Sequence, residues 1–256
     1  MSINVNDQHY KLSLKPSKQD HRTFKLSLQP HEQEITLPSA YALIDIDKLK
    51  IYDQGTLGSC TANAIAQQIQ IKTQNKLSIS RIYEYFNSRL LEGTYQEDSG
   101  ANLLDCYKAL NKYKYIDELY YPYNINIFKD FPSKIVYIEA YKNKPIEKYE
   151  AVPQDLYHIQ YTLAVYKQPI VIGALVYNTF QNLDSNYACP TPNPNKDQLL
   201  GGHALLIAGY DNSDNTFLII NSWGTRYGDR GTFKMKYDYI LNKNLVSDLW
   251  MLSLGF

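Results

Sequence analysis

Apolar residues first recur along the chain at helical spacing and later in strand-like runs. From Cys60 onward, Ala62, Ile65, Ala66 and Ile69 fall at i, i+3, i+4 and i+7, which predicts a helix with Cys60 at its N-terminus. Ile82, Tyr85, Phe86 and Leu90 predict a second helix from Ser80, and Leu103, Leu104, Tyr107 and Leu110 a third from about Asn102. Beyond Pro122 and Pro132 the pattern changes. One helix is expected from Pro153, carried by Leu156, Ile159 and Leu163, and then strands at 170–176, 203–210, 216–220 and 232–236. Prolines and asparagines make 184–198 a surface loop. Helices followed by strands imply an α+β protein of two lobes, one helical (mainly 60–125) and one β-rich (mainly 135–240).

The first 37 residues are set apart. They carry an internal echo, Tyr10-Lys-Leu-Ser-Leu-Lys-Pro16 and Phe24-Lys-Leu-Ser-Leu-Gln-Pro30, each an alternating pentad closed by proline. Residues 1–37 therefore read as an arm of short strands or extended chain, laid along a body that starts at Pro38 and continues to residue 256. The sharper alternative is a gating or inhibitory segment over a functional cleft.

Charge narrows the partners. Lysine plus arginine number 26, as do aspartate plus glutamate, so no net field draws the chain to nucleic acid. Residues 1–35 lack the apolar core of a secretory signal, and no apolar run approaches the roughly 20 residues that span a bilayer. Membrane insertion is not expected. Three cysteines cannot all pair within one chain and no Asn-x-Ser/Thr acceptor occurs, so cytosolic synthesis is favoured. With no Cys-x-x-Cys or His-Glu-x-x-His spacing, His9, His21 and His31 in the arm do not make a metal site, and no nucleotide-binding glycine motif occurs. No cofactor is expected.

Candidate chemistry centres on one thiol. A helix N-terminus favours the thiolate, the nucleophilic form of cysteine, and Cys60 occupies that position. The preceding Asp53-Gln-Gly-Thr-Leu-Gly-Ser59 is rich in small residues, which admits a substrate backbone and supplies donors for an oxyanion, with Gln54 adding a side-chain amide. His203, flanked by Gly201 and Gly202 at the start of an apolar strand, is the candidate base. Asn221 lies 18 residues further on (221 − 203), a separation that lets a hairpin place its amide on the imidazole, with Trp223 shielding the bond. His158, within a helix, reads as structural, as do Cys106 and Cys189, two small buried side chains.

The segments Gln54-Gly-Thr-Leu-Gly-Ser-Cys60, Gly202-His203-Ala204 and Asn221-Ser-Trp-Gly-Thr-Arg-Tyr-Gly228 resemble the three signature blocks of papain-like cysteine peptidases, in the family's order. The Cys-to-His separation of 143 residues (203 − 60) lies within the family's range of about 130–150. The resemblance spans about residues 38–256 and implies a two-lobed fold with a cleft between helical and barrel-like β lobes. It implies a nucleophile at Cys60, a base and then acid at His203, an orienting amide at Asn221, and an oxyanion hole formed by Gln54 and the Cys60 N–H.

Subsites follow by the same route. Gly58 would flank S1, Ser99 and Gly100 would meet an extended substrate, with Gly100 pairing its backbone, and Leu103 or Ala174 would line S2. Gly202 and Trp223 border the site, and Ser247 or Asp248 would tune S2. The expected partner is a peptide or protein substrate of a monomeric enzyme. Leu57 stands where many members carry a disulfide cysteine, and Thr61 where they carry an aromatic. The long helical propeptide is replaced by the 37-residue arm. An acyl transferase and a catalytically silent peptide-binding module on the same fold are the alternatives.

Overall fold

The computed structural model describes residues 1–18, 20, 23–144 and 146–254; His21 lies outside them. Among these, α1 (Cys60–Lys72), α2 (Arg81–Glu92) and α3 (Leu103–Tyr113) form the helical lobe, and each begins where the sequence predicts. The Ser80 and Asn102 side chains accept the N–H groups of Tyr83 and Asp105, so two of the starts are side-chain caps. Gly93, in the left-handed region at φ 77°, ends α2.

α1 departs from a one-sided stripe: every residue from Cys60 to Gln70 is buried. It runs between the lobes, so even its polar residues must find partners. Gln68 donates to the carbonyls of Pro169 (2.8 Å) and Trp250 (3.0 Å) and accepts from the Tyr107 hydroxyl (2.7 Å). One side chain thereby joins α1, α3 and the β lobe.

The β lobe is one mixed sheet in the order β4 (Ile146–Ala151), β10 (Val246–Leu254), β5 (Ile170–Tyr177), β7 (Leu199–Asp211), β8 (Thr216–Ile220), β9 (Thr232–Lys236), β6 (Ala188–Cys189), with β3 (Ala40–Ala42) also on β7. Two short helices, α4 (Lys134–Ala140) and α6 (Tyr237–Leu241), and the longer α5 (Leu156–Ala164) complete the body. β10 carries the sheet past the expected limit of 240. A register shift between Ser247 and Trp250, with Asp248 at φ 57°, interrupts its alternation, which hides the strand from a period-two reading. Within the loop at 184–198, Cys189 is buried and pairs with Met235. All three cysteines are free and buried.

The arm begins as a hairpin of β1 (Ser2–Val5) and β2 (Gln8–Lys11). Residues 12–17 then cross between the lobes, and Lys25 bridges Ala151 at the sheet edge. No helix among the described residues is long and apolar enough to cross a membrane.

Candidate active site

Three elements converge on the Cys60 thiol. Cys60 opens α1 and is fully buried. The N–H of Ala204, next to His203 on β7, points at its sulfur, as do those of Thr61 and of Ser13 from the arm. His203 pairs with Ala174 across the β5–β7 ladder. Its Nε2 donates to Asn221 Oδ1 at 2.8 Å, and Asn221 Oδ1 is itself held by the Ser222 N–H at 2.8 Å. That bond places the proton on Nε2 and leaves Nδ1 bare: buried, and without a hydrogen-bond partner. The Trp223 ring stacks on the imidazole, with centroids 4.9 Å apart.

Gln54 is aimed from both ends. Ser222 Oγ donates to its Oε1 (2.9 Å), and one Nε2 hydrogen goes to the Leu57 carbonyl (2.9 Å). The other reaches into the cleft and meets the Lys11 carbonyl at 3.2 Å. A side-chain donor facing a carbonyl beside a thiol has the composition of an oxyanion hole.

The cleft is filled by the chain's own N-terminal segment. Tyr10 stacks on Trp223 (5.2 Å) and donates its hydroxyl proton to the Trp223 carbonyl (3.0 Å). Ser13 Oγ donates to the Gly58 carbonyl (2.8 Å), Leu14 N–H to the Gly202 carbonyl (3.1 Å) and Lys15 N–H to the Ala101 carbonyl (3.2 Å). Glycine permits this approach: a β-carbon at Gly100 would collide with the Ser13 carbonyl, and one at Gly202 would lie 2.8 Å from the Leu14 carbonyl. Lysines tie the arm to the helical lobe, Lys11 on Asp98 at 2.8 Å and Lys15 on Glu92 at 2.7 Å, with Ser99 Oγ also accepting from Lys15.

Occlusion sets the electrostatics. Desolvation pushes the Cys60 thiol up to about 11, against the four N–H groups that favour thiolate. Burial likewise brings His203 down to about 4, although its Asn221 hydrogen bond pulls the other way. With the arm in place the pair is neutral thiol and neutral imidazole.

The subsite residues divide. Leu14 packs against Gly173 and forms one wall of a recess of about 240 Å³ whose other walls include Ala174, Val246 and Ser247. Leu103 does not line that recess: it is fully buried in the core between the lobes, against which Leu14 packs. Asp248 sits further along and accepts the Ser17 N–H at 3.2 Å. The expectation that Gly100 pairs its backbone with an extended chain differs from what the arm does. The Gly100 N–H is spent on the Tyr85 hydroxyl (3.1 Å), and the arm takes the Ala101 carbonyl instead.

Several residues around the site carry no sequence signal. Arg81 lies between the Tyr52 and Tyr123 rings (4.3 and 4.0 Å), bonds Glu118 and Asn63, and reaches the Asp53 carbonyl, fixing the loop that presents Gln54. Tyr123 shares a hydrogen bond with Ser59 (2.6 Å) and donates to the Gln54 carbonyl (2.9 Å). Asp98 Oδ1 accepts from Gly58 N–H (3.0 Å) and Tyr85 Oη (2.5 Å), tying the loop before α1 to α2 within the helical lobe.

Residues 45–248 match the model of the papain family cysteine proteases. An uncharacterized peptidase C1-like protein of Acanthamoeba polyphaga mimivirus is 36% identical over 231 residues, covering 85% of this chain and 71% of its own length. A probable cysteine protease of Arabidopsis thaliana is 28% identical over 208 residues, and there the chain spans 52% of the relative. Among solved structures, xylellain, a cysteine protease from Xylella fastidiosa, superposes with a TM-score of 0.88 at 34% identity, covering 96% of both chains. The fold is also that of the digestive procathepsin L2 of Tenebrio molitor (TM-score 0.71, 19% identity, 96% of this chain and 78% of that one). The chain belongs to the papain family of cysteine proteases.

Proposed function

We propose that this cysteine peptidase is held latent by its own residues 10–17 and hydrolyses peptide bonds once that segment leaves the cleft. The Lys11 carbonyl on the Gln54 amide, with the Ser13 N–H on the Cys60 sulfur, carries the reading, because the arm occupies the positions a substrate's reacting atoms need. In this mechanism Cys60 gives its proton to His203 Nδ1 and attacks the carbonyl carbon. The developing oxyanion is held by Gln54 Nε2 and the Cys60 N–H. His203, oriented by Asn221, protonates the leaving amine and then deprotonates the water that opens the acyl-enzyme.

Chain direction supports latency over self-cleavage. On the subsite assignment that puts S2 at Ala174, a substrate would run from that recess past Cys60, whereas the arm runs from Tyr10 on Trp223 to Leu14 beside the recess. Its polarity is reversed, so no arm amide is presented to His203 as a leaving group.

The test is hydrolysis of a fluorogenic dipeptidyl amide, with labelling by an epoxide thiol inactivator. The full chain is expected to turn over slowly and a full chain carrying Leu14→Asp faster, with the label on Cys60. Absence of both turnover and labelling in either protein sinks the reading.

A further inference from the structure

We propose that Tyr123 is a positioning residue for peptide hydrolysis, its hydroxyl fixing the spacing between the two oxyanion donors, Gln54 Nε2 and the Cys60 N–H. The inference deepens the peptidase reading and rests on it. The two donors come from opposite ends of one loop, residues 54–60. A single atom closes the mouth of that loop: Tyr123 Oη bonds the Gln54 carbonyl at 2.9 Å and Ser59 Oγ, on the residue before Cys60, at 2.6 Å.

Proton directions agree along the whole run. The Gln54 carbonyl can only accept, so the Tyr123 proton goes there and Ser59 Oγ supplies the proton of the 2.6 Å bond. Ser59 Oγ accepts in turn from Asn63 Nδ2 (3.0 Å), and Asn63 Oδ1 accepts from Arg81 (2.9 Å). From guanidinium to carbonyl each intermediate group both accepts and donates, an order in which neighbouring bonds polarise and strengthen one another. Arg81 is held from its far side by both oxygens of Glu118 (2.6 and 2.8 Å) and lies over the Tyr123 ring at 4.0 Å. The tyrosine is thereby fixed by its face as well as by its oxygen. Ser59 and Asn63 are fully buried, so a lost link is not replaced from solvent. Burial also raises the pKa of the Tyr123 phenol, which keeps the proton that the Gln54 carbonyl receives.

The experiment uses the full chain carrying Leu14→Asp, with and without Tyr123→Phe, which removes one oxygen and keeps the ring under Arg81. It measures kcat and KM for a fluorogenic dipeptidyl amide, together with the rate of Cys60 alkylation by iodoacetamide, a displacement at saturated carbon that forms no oxyanion. A misplaced donor costs less than a missing one, so kcat is expected to fall about tenfold, with KM and alkylation within about twofold. Ser59→Ala cuts the same run one link earlier, and the double variant is expected to lose no more than Tyr123→Phe alone. An unchanged kcat overturns the inference, as do equal falls in kcat and alkylation, or losses that multiply in the double variant; each leaves the peptidase reading standing. A Leu14→Asp parent that neither turns over nor labels overturns both.

Discussion

Two copies of Lys-Leu-Ser-Leu, fourteen residues apart (25 − 11), end in different environments. The first crosses the cleft and touches both walls: Leu12 is buried, Leu14 forms a wall of the recess beside Ala174, and Lys11 and Lys15 meet carboxylates. The second is a one-sided strip. Leu26 and Leu28 sink into the β-lobe core, Lys25 and Ser27 face out, and the Leu26 N–H and the Phe24 carbonyl bond Ala151 on the edge of β4. The residue before each pentad separates them. Tyr10 is buried on Trp223 and donates a hydroxyl proton there; Phe24, with no hydroxyl, is 66% exposed. The repeat supplies alternation, and the aromatic and its polar handle select the surface.

The comparison breaks most visibly at the leucine facing each surface. Leu14→Asp removes an apolar anchor and sets a carboxylate against Gly173, where the leucine side chain packs. A loss of about 2–3 kcal/mol in arm affinity corresponds to roughly 10²-fold faster turnover and faster Cys60 alkylation by the full chain. Leu26→Ala in the second copy should instead cost about 2–4 kcal/mol of folding stability, read as a lowered denaturation midpoint, with turnover raised less than twofold. If both variants activate alike, the two copies hold one latch and the distinction fails.

Acid sharpens the contrast, since only the first copy covers titrating groups of the site. His203 falls to about 4 in the closed state and ordinarily titrates near 6.5, so closure excludes a proton that the open state binds. The closed state is therefore fully favoured above about pH 6.5 and loses ground as pH falls toward 4. Cys60, pushed up to about 11 from about 9, gives the opposite limb, with closure weakening as pH rises from about 9 toward 11. The fraction of chain alkylated rapidly at Cys60 should be lowest between about pH 6.5 and 9, and rise about thirtyfold by pH 5. A flat profile would mean that the arm does not desolvate His203.

The site was legible in the sequence to the extent that its chemistry is local. Cys60 announces itself by a helix start, His203 by flanking glycines, and Asn221 by hairpin spacing. Asp98, Arg81 and Tyr123 act through pairings across 40, 28 and 69 residues, with Gly58, Asp53 and Gln54, which no periodicity encodes. α1, α2 and α3 were legible because caps and stripes agree. β10 was not, because Asp248 breaks its alternation at the bend that also puts the carboxylate against Ser17. The arm was visible as a repeat, but which copy enters the cleft depends on Tyr10, Trp223 and the carboxylates of Glu92, at the end of α2, and Asp98, in the loop after it.

Salt gives the mildest test of what distinguishes the copies. The bridges from Lys11 and Lys15 are about one-third exposed on the lysine side, so each contributes a few tenths to one kcal/mol and is screened as ionic strength rises. Leu12, Leu14 and the backbone bonds to Gly202 and Ala101 do not depend on salt in the same way. Raising sodium chloride from about 0.05 to 0.5 M should therefore increase turnover by the full chain about two- to threefold and leave the Leu14→Asp protein, with its arm already loosened, within about 1.5-fold. An equal response in both proteins would place the salt effect elsewhere than on the arm, and the lysines would then no longer distinguish the copy in the cleft from the copy on the sheet edge.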